Sequence, residues 1–372
     1  MCAYPFTATV RDLPSTVPFV GPEAQERARG RPFRARIGAN ESVFGPSPRA
    51  IEAMQAAAAD AWMYGDPENH DLKHALARRH GVAPDNVVVG EGIDTLFCYT
   101  ARLFVEPGTV VATSQGAYPT FNFHIAGCGG RLVTVPYRDD REDPEALIDL
   151  AVREDARLIY LANPDNPMGS WWDAAAVRRM IEAVPDGAIL CLDEAYIDFA
   201  PDGTAPPIDV SDPKVLRFRT FSKAYGMAGC RIGYAIGEAA LIKSFDKIRN
   251  HFGVNRIAQA GALAALEDDA YLRSVIDRVA EARRRIGQIA ADSGLSVLPS
   301  ATNFVAVDCG RDGTYATRVL EELIARDVFV RMPGVAPLNR CIRISAGRTA
   351  DLDLLASVLP EALAAALDNP GD

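Results

Sequence analysis

A lysine with hydroxyl groups before it and an arginine after it forms the segment of this chain with the clearest chemical potential. The segment runs from Thr220 to Arg231 and reads TFSKAYGMAGCR. A lysine amine such as that of Lys223 can form a Schiff base with an aldehyde when its surroundings keep it partly deprotonated. The planar guanidinium of Arg231 suits a phosphate, and Ser222 can add a hydroxyl. These residue types indicate a site for a phosphorylated aldehyde cofactor, although a surface loop with two solvated cations is the ordinary alternative.

A glycine-containing turn provides a second candidate phosphate site. Gly90, Glu91, Gly92 and Ile93 follow an apolar run and open a predicted helix, whose first backbone N–H groups are free to bind an anion. A dinucleotide site is the rival explanation. However, Thr95 stands where the third glycine of that fingerprint would be, and the next strand-like run ends without an acidic ribose ligand. The turn is therefore predicted to bind phosphate and not a nicotinamide dinucleotide.

Other polar and aromatic groups also follow apolar runs. Asp193 closes one run, where a carboxylate is costly unless a partner such as a protonated pyridine nitrogen pairs with it. Tyr196 comes three residues later and could reach a ring hydroxyl. Asn166 lies in the turn NPDNPMG, and Tyr118 could stack on a flat ring. Each also has an ordinary explanation, as a solubilising acid, a tight turn or a core aromatic.

Strand-like apolar runs that alternate with helical segments would position these groups. This alternation indicates an α/β fold with a largely parallel sheet covered on both faces. Ligands of such sheets bind beyond the carboxyl ends of the strands, which is where the candidate residues stand. The predicted strands are 87–89, 109–113, 131–135, 158–161, 189–192, 215–220 and 232–236.

The order of helical and strand-like segments changes after Lys247. Two long helical segments are followed by short strand-like runs and further helices, which indicates a second, smaller α/β lobe. We therefore predict an N-terminal arm over 1–36, a large cofactor-binding domain over 37–250 and a small C-terminal domain over 251–372. Part of the N-terminal segment is expected to join the small domain.

Composition and charge exclude several classes of partner. The chain has 372 residues, and 39 Lys and Arg against 49 Asp and Glu give a formal net charge of −10. An acidic chain is a poor partner for nucleic acid or an anionic membrane, and no apolar run is long enough to cross a bilayer. Scattered cysteines and the lack of a secretion signal favour a cytoplasmic location. His70 and His74 have a metal-ligand spacing, but a solvated helix face explains them better, so no metal site is predicted.

With these residues assembled, the chain resembles the fold-type I pyridoxal-phosphate enzymes of the aspartate aminotransferase superfamily, and histidinol-phosphate aminotransferases in particular. The resemblance spans roughly residue 35 to the C-terminus and rests on ANES, FGPSP, YGDP, NPDNPMG, DEAYIDF, SKAYGMAGCRIG and CIRISAG. It implies a large domain around a mostly parallel seven-stranded sheet, a smaller C-terminal α/β domain and a homodimer. It also implies ping-pong amino transfer from an amino-acid or amino-phosphate donor, with histidinol phosphate as the leading candidate, to a 2-oxo acid.

The resemblance implies a role for each residue around the cofactor ring. Lys223 would bind the cofactor aldehyde and then carry the proton of the reaction. Asp193 would pair with the ring nitrogen. Asn166 and Tyr196 would bind the phenolic oxygen, and Tyr118 would stack on the ring.

Phosphate and substrate ligands are implied in the same way. The implied ligands of the cofactor phosphate are Ser222, Arg231, the backbone of Glu91, Gly92 and Ile93, and Tyr64 of the neighbouring subunit. Arg343 would clamp the α-carboxylate of the substrate, because a guanidinium can bind a carboxylate with two hydrogen bonds. Arg331 would bind the phosphate of the substrate itself, and Asn40 is a further predicted substrate contact.

Two departures from the family pattern bear on the substrate. Pro18-Phe19 stands where the family usually has Pro-Tyr near the substrate phosphate, and Met168 replaces a common threonine. Aromatic or other amino acids are therefore second candidates as donors. A lyase such as a threonine-phosphate decarboxylase would keep the same Lys223 and Asp193. A non-catalytic regulator of this fold would need an N-terminal DNA-binding domain, for which about 35 residues are too few.

Overall fold

A seven-stranded sheet forms the centre of the computed structural model, which describes residues 4–15 and 19–368. The strands are β1 (Ala35–Arg36), β2 (Val87–Gly90), β3 (Val110–Ser114), β4 (Arg131–Val135), β5 (Leu158–Ala162), β6 (Ile189–Asp193), β7 (Val215–Thr220), β8 (Gly233–Ile236), β9 (Ser296–Val297), β10 (Phe304–Asp308), β11 (Val328–Phe329) and β12 (Cys341–Ser345). The large sheet has the order β2-β8-β7-β6-β5-β3-β4. Strand β8 is antiparallel to both neighbours, and the other pairs are parallel. The predicted mostly parallel sheet is confirmed, with each strand within about one residue of its predicted bounds.

Helices cover both faces of this sheet. The α-helices are α1 (Ala8–Arg11), α2 (Pro22–Arg29), α3 (Pro48–Ala58), α4 (His70–His80), α5 (Ile93–Phe104), α6 (Pro119–Gly127), α7 (Pro144–Glu154), α8 (Ala174–Glu182), α9 (Ala239–Ser244), α10 (Arg256–Leu266), α11 (Asp269–Asp292), α12 (Gly313–Ala325) and α13 (Thr349–Asp368). Strand β5, with the sequence LIYLA, is buried along its whole length. Its residues alternate between two cores, since Tyr160 packs with Phe97 and Phe121, whereas Leu161 packs with residues of α7 and α8.

The small lobe contains a segment from each end of the chain. Strand β1 pairs in parallel with β11, and β12-β10-β9 form an antiparallel sheet. N-terminal residues thus lie beside C-terminal ones, as the sequence suggests, while the exact division of the chain at residue 250 stays a prediction.

The N-terminal arm is more regular than the sequence indicates. Helix α2 was not predicted because its sequence, PEAQERAR, has no apolar face. Ion pairs hold it in place instead, since Glu26 pairs with Arg36, and Arg29 pairs with Asp327.

A close backbone approach fixes the turn after Lys223. Gly226 has φ +68°, and a Cβ there would lie 2.2 Å from the carbonyl oxygen of Gly45. We expect Gly226→Ala to lower the free energy of unfolding by about 3 kcal/mol, because it adds a backbone clash to the left-handed strain. Gly203→Ala, at φ +83° but with nothing within 4 Å, should lose about 1 kcal/mol. Urea unfolding of both variants checks this, and equal losses would contradict it.

Candidate active site

A cavity of about 310 Å³ opens at the carboxyl ends of the parallel strands, where the small lobe faces the sheet. Residues that end or follow β5, β6 and β7 line it, together with Arg343 on β12 of the small lobe. The predicted site residues that line it are Asn40, Ile93, Tyr118, Asn166, Asp193, Tyr196, Ser222, Lys223, Arg231, Arg331 and Arg343. Residues far apart in the sequence therefore meet at one edge of the sheet.

Lys223 lies in the turn after β7, and its amine faces this cavity. Its Nζ donates a hydrogen bond to the main-chain oxygen of Asn40 at 3.1 Å and lies 5.5 Å from the ring centroid of Tyr196. Burial, with a smaller contribution from the nearby Arg343, lowers the pKa of Lys223 to about 8. A minor but usable fraction of the amine is therefore neutral near physiological pH, as a nucleophilic lysine requires.

Asp193 ends β6 and presents a buried carboxylate. One carboxylate oxygen accepts a hydrogen bond from the Tyr160 hydroxyl at 2.7 Å, and the other accepts one from the backbone N–H of Ala195 at 2.9 Å. Both donors are neutral groups. Burial raises the pKa of Asp193 to about 6, so a cation in the cavity would relieve the cost of its charge.

Arg343 and its contacts form the part of the cavity that belongs to the small lobe. Its guanidinium donates a hydrogen bond to Oδ1 of Asn166 and lies 5.2 Å from the ring centroid of Phe304. Its Nε is buried and has no hydrogen-bond partner among the residues that the structure describes. Burial lowers the pKa of Arg343 to about 10, and the side chain stays charged at neutral pH. A buried cation with an unused donor is suited to bind an anion.

The start of helix α5 and the Arg231 guanidinium form a second positively charged part of the cavity lining. Gly92, at φ +88°, is the N-cap of this helix and has no side chain to satisfy the first N–H groups. The Arg231 guanidinium occupies the space beside it, 2.6 Å from where a Cβ on Gly92 would lie. Ser222 lines the same cavity, and its hydroxyl is 3.0 Å from that of Thr220. The Glu91 side chain accepts a hydrogen bond from the Tyr99 hydroxyl at 3.1 Å. Glu91 and Gly92 are not among the residues that line the cavity, and the binding of phosphate by their backbone stays a prediction.

Tyr118 and the N-terminal arm enclose the cavity on another side. The Tyr118 hydroxyl is 3.4 Å from Asp94, and its ring centroid is 6.2 Å from that of Phe19. Arg331 lies over the Phe19 ring at 4.9 Å and donates to the main-chain oxygen of Val20 at 2.7 Å. Phe19 therefore contacts the predicted phosphate ligand Arg331, whereas Pro18 lies outside the described residues.

Tyr64 and Met168 are further residues that the sequence linked to the site and that do not line the cavity. Tyr64 is 75% exposed, and its ring centroid lies 4.6 Å from that of Phe252, with the two rings tilted by 31°. Its contact with the cofactor of a neighbouring subunit stays a prediction. Met168 is fully buried in an apolar cluster with Leu338 and Cys341, and packing explains it. The effect of Met168 on the choice of donor stays a prediction.

Some cavity residues had no predicted role. Asp94, Glu41 and Thr220 line the cavity together with the predicted residues. Asp94 stands two residues after Gly92, close to the start of α5, and this position could have identified it. Glu41 follows Asn40 in the ANES motif, but nothing in a single sequence separates it from an ordinary surface acid.

Residues 4–15 and 19–368, which the structure describes, contain neither a helix suited to span a membrane nor a cluster of metal ligands. No helix there has the length and apolarity to cross a bilayer. The same ranges contain no group of three or more His, Cys, Asp or Glu side chains placed to hold a metal ion.

Comparison with known proteins identifies the family. The family described as aminotransferase class I and II matches residues 36–359. The crystal structure of histidinol-phosphate aminotransferase from Sinorhizobium meliloti in complex with pyridoxal-5'-phosphate is 56% identical and superposes with a TM-score of 0.95, covering 98% of this chain and 99% of that chain. Histidinol-phosphate aminotransferase 2 of Ralstonia nicotianae is 37% identical over 338 residues, which are 89% of this chain and 90% of the relative.

A more distant structure supports the fold. Aspartate aminotransferase from Thermus thermophilus with maleate has a TM-score of 0.81 at 21% identity, covering 97% of this chain and 100% of that chain. The predicted resemblance, the aspartate-aminotransferase-like fold and the predicted enzyme class are confirmed. The chain belongs to the aminotransferase class I and II family.

Proposed function

We propose that this aminotransferase uses pyridoxal phosphate to transfer the amino group of histidinol phosphate to a 2-oxo acid. The observation that carries the proposal is that two sets of cationic groups from different elements line the cavity. Arg231 lies beside Gly92 at the start of α5, whereas Arg331 and Arg343 are paired by a main-chain bridge in the small lobe. The first set suits the cofactor phosphate, which leaves the second for the anion of a substrate.

The residues of the cavity fit this cofactor. When bound, pyridoxal phosphate supplies an electron sink that stabilises negative charge at the donor carbon. The buried carboxylate of Asp193 would hold a proton on the ring nitrogen, because its own charge lacks a cationic hydrogen-bond donor. Lys223, whose pKa is lowered to about 8, would move the proton between the donor carbon and the cofactor. Asn166 and Tyr196 would bind the phenolic oxygen.

Arg331 and Arg343 are neighbours, and together they suit both substrates. Their main chains form an antiparallel bridge, so that the two side chains enter the cavity side by side. Histidinol phosphate carries a phosphate ester where an amino acid carries its carboxylate. The same pair of guanidinium groups can therefore hold the phosphate of the donor and the carboxylate of the 2-oxo acid in turn.

The proposal includes a cytoplasmic homodimer with Tyr64 reaching the cofactor phosphate of its partner. Exposed aromatic residues support this arrangement, because large exposed apolar side chains mark interfaces. Trp62 is 81% exposed, Tyr64 75% and Phe252 49%, and these residues lie at or near the YGDP segment and its packing partner. Sedimentation of the loaded enzyme tests the dimer.

A half-reaction screen tests the donor. The purified enzyme, loaded with pyridoxal phosphate, is mixed with histidinol phosphate, phenylalanine, tyrosine, aspartate or alanine, and the visible absorption band of the bound cofactor is followed. We expect histidinol phosphate to discharge the band with the highest second-order rate constant. Faster discharge by an aromatic amino acid would replace the proposed donor. Release of CO2 without pyridoxamine phosphate would replace amino transfer by a lyase reaction.

Removing Arg331 should weaken recognition of phosphate selectively. We expect Arg331→Ala to lower kcat/KM for histidinol phosphate by about 10-fold to 100-fold, because a charge-assisted hydrogen bond to phosphate is lost. The value for histidinol should change much less, so that the ratio of the two falls. Arg284→Ala, which removes a cation that pairs with Glu281 on the surface of α11, is the matched control. Equal losses for both amines would refute the role of Arg331.

A further inference from the structure

Asn40 lies at the centre of a hydrogen-bond network that joins the two lobes. It is 3% exposed and has φ +57°, a left-handed conformation that asparagine tolerates better than most residues. Its main-chain oxygen accepts the hydrogen bond from Lys223 at 3.1 Å. Its side-chain amide donates to the Tyr196 hydroxyl at 3.0 Å. One residue of the loop after β1 thus contacts two groups of the cofactor site.

Ser345 holds Asn40 in this position from the small lobe. The Ser345 hydroxyl accepts a hydrogen bond from the backbone N–H of Asn40 at 3.0 Å and donates one to Oδ1 of Asn40 at 2.9 Å. Asn303 adds a hydrogen bond from its amide to the main-chain oxygen of Asn40, also at 3.0 Å. Ser345 is 2% exposed, so these bonds are shielded from water. The nitrogen and the oxygen of the Asn40 side-chain amide both make hydrogen bonds within the protein. The contact of Asn40 with substrate stays a prediction.

The position of Ser345 on its strand links this network to substrate binding. Ser345 follows Arg343 by two residues on β12, and side chains with that spacing lie on the same face of a strand. Phe304 pairs with Ser345 and also packs under the Arg343 guanidinium. One rigid strand therefore carries the proposed anion ligand and the residue that holds Asn40.

We propose that Ser345 is a positioning residue, which through Asn40 fixes the carbonyl oxygen that receives the Lys223 amine whenever that amine is free. This inference rests on the proposed function in taking Lys223 as the group that moves the proton. An amine that leaves the cofactor during the reaction needs a defined resting place from which it can return. The Asn40 oxygen provides that place, and a hydrogen bond to it favours the protonated amine.

The proton affinity of Lys223 is the direct readout of this role. The charged groups that act on its amine are Arg343, Glu41, Arg231 and Asp193. Ser345→Ala leaves all four of these side chains in place. A shift in the pKa of Lys223 would therefore indicate that the main-chain oxygen of Asn40 has moved. We expect the pKa to fall by about one unit, since hydrogen bonds to charged groups are stronger than neutral ones.

Trace acetylation of the full-length protein without cofactor measures this pKa. The protein is labelled with limiting acetic anhydride from about pH 6 to about pH 10, and the peptide that contains Lys223 is quantified by mass spectrometry. Ser345→Ala should lower the labelling midpoint by about one unit, whereas Ser357→Ala should leave it unchanged. Ser357 is a suitable control because its hydroxyl bonds within helix α13. In the loaded enzyme, Ser345→Ala should lower kcat about tenfold while KM changes little.

Asn40→Gly provides a second variant that tolerates the left-handed backbone. It keeps the main-chain oxygen but loses both side-chain bonds, and it should lower the Lys223 midpoint in the same direction. The double variant should shift it by less than the sum of the two single shifts, because both substitutions break the bond from the Ser345 hydroxyl to Oδ1 of Asn40. A midpoint within about 0.2 units of wild type in both single variants would overturn the inference, even if thermal stability falls. Because this labelling needs no donor, it stays informative if the enzyme rejects histidinol phosphate, and that rejection would overturn only the proposed function.

Discussion

Lys223→Ala is expected to abolish amino transfer and the visible absorption band of the bound cofactor. The amine of Lys223 faces the cavity, and burial lowers its pKa to about 8, which prepares it both to bond an aldehyde and to carry a proton. Positioned acid–base groups alone contribute about 10²-fold to 10⁴-fold, so kcat should fall by at least about 1000-fold. Absorption spectra and single-turnover assays of the purified variant measure both losses.

Lys243→Ala is the matched control for this experiment. Lys243 is an exposed lysine that pairs with Asp246 on the surface, and its side chain is 81% exposed. This variant should keep the absorption band and the wild-type kcat. A Lys223→Ala protein that retained the band would refute the assignment of the lysine.

Asp193→Asn is expected to lower kcat by about 10²-fold to 10³-fold while the protein still folds. Asparagine has almost the same volume as aspartate and can keep contacts with the Tyr160 hydroxyl and the backbone of Ala195. It cannot hold a proton on the ring nitrogen, and the loss of one preorganised charge at a reacting system typically has an effect of this size. Steady-state kinetics with saturating cofactor measure the change.

The same variant should alter stability in opposite directions with and without cofactor. Burial raises the pKa of Asp193 to about 6, so the folded protein binds this proton more tightly than the unfolded chain. The stability contributed by this group is therefore present at low pH and is lost as the pH rises through about 6. Without cofactor, Asp193→Asn should have the higher Tm at about pH 8, and the difference should vanish near pH 4. On binding cofactor, the Tm of wild type should rise more than the Tm of Asp193→Asn. Equal rises would contradict the pairing of Asp193 with the ring nitrogen.

Much of the fold could be predicted from the sequence because its strands are continuous apolar runs. Strands buried on both faces, such as β5, have short and continuously apolar sequences, which distinguishes them from the sequences of the helices between them. Asp193 ends β6, and Lys223 follows β7 by three residues, so their convergence follows from the geometry of a parallel sheet. That Asp193 and Lys223 line one cavity could therefore be predicted from the sequence.

The remaining features depend on contacts between distant segments. The network of Asn40, Asn303 and Ser345 joins residues separated by about 260 to 305 positions, and no local pattern indicates it. Met168 replaces a common threonine in the Asn-Pro turn, and its packing against Leu338 and Cys341 depends on residues about 170 positions away. Helix α2 depends on ion pairs with residues outside itself, which propensity and periodicity do not reveal.

Reduction of the loaded enzyme with borohydride, followed by peptide mass spectrometry, tests the central claim most directly. Reduction fixes the cofactor covalently to whichever amine holds it. The chain contains five lysines, at 73, 214, 223, 243 and 247. We predict that the pyridoxyl group is found on Lys223. Its recovery on another lysine, or its absence from an enzyme that still transfers amino groups, would contradict the account.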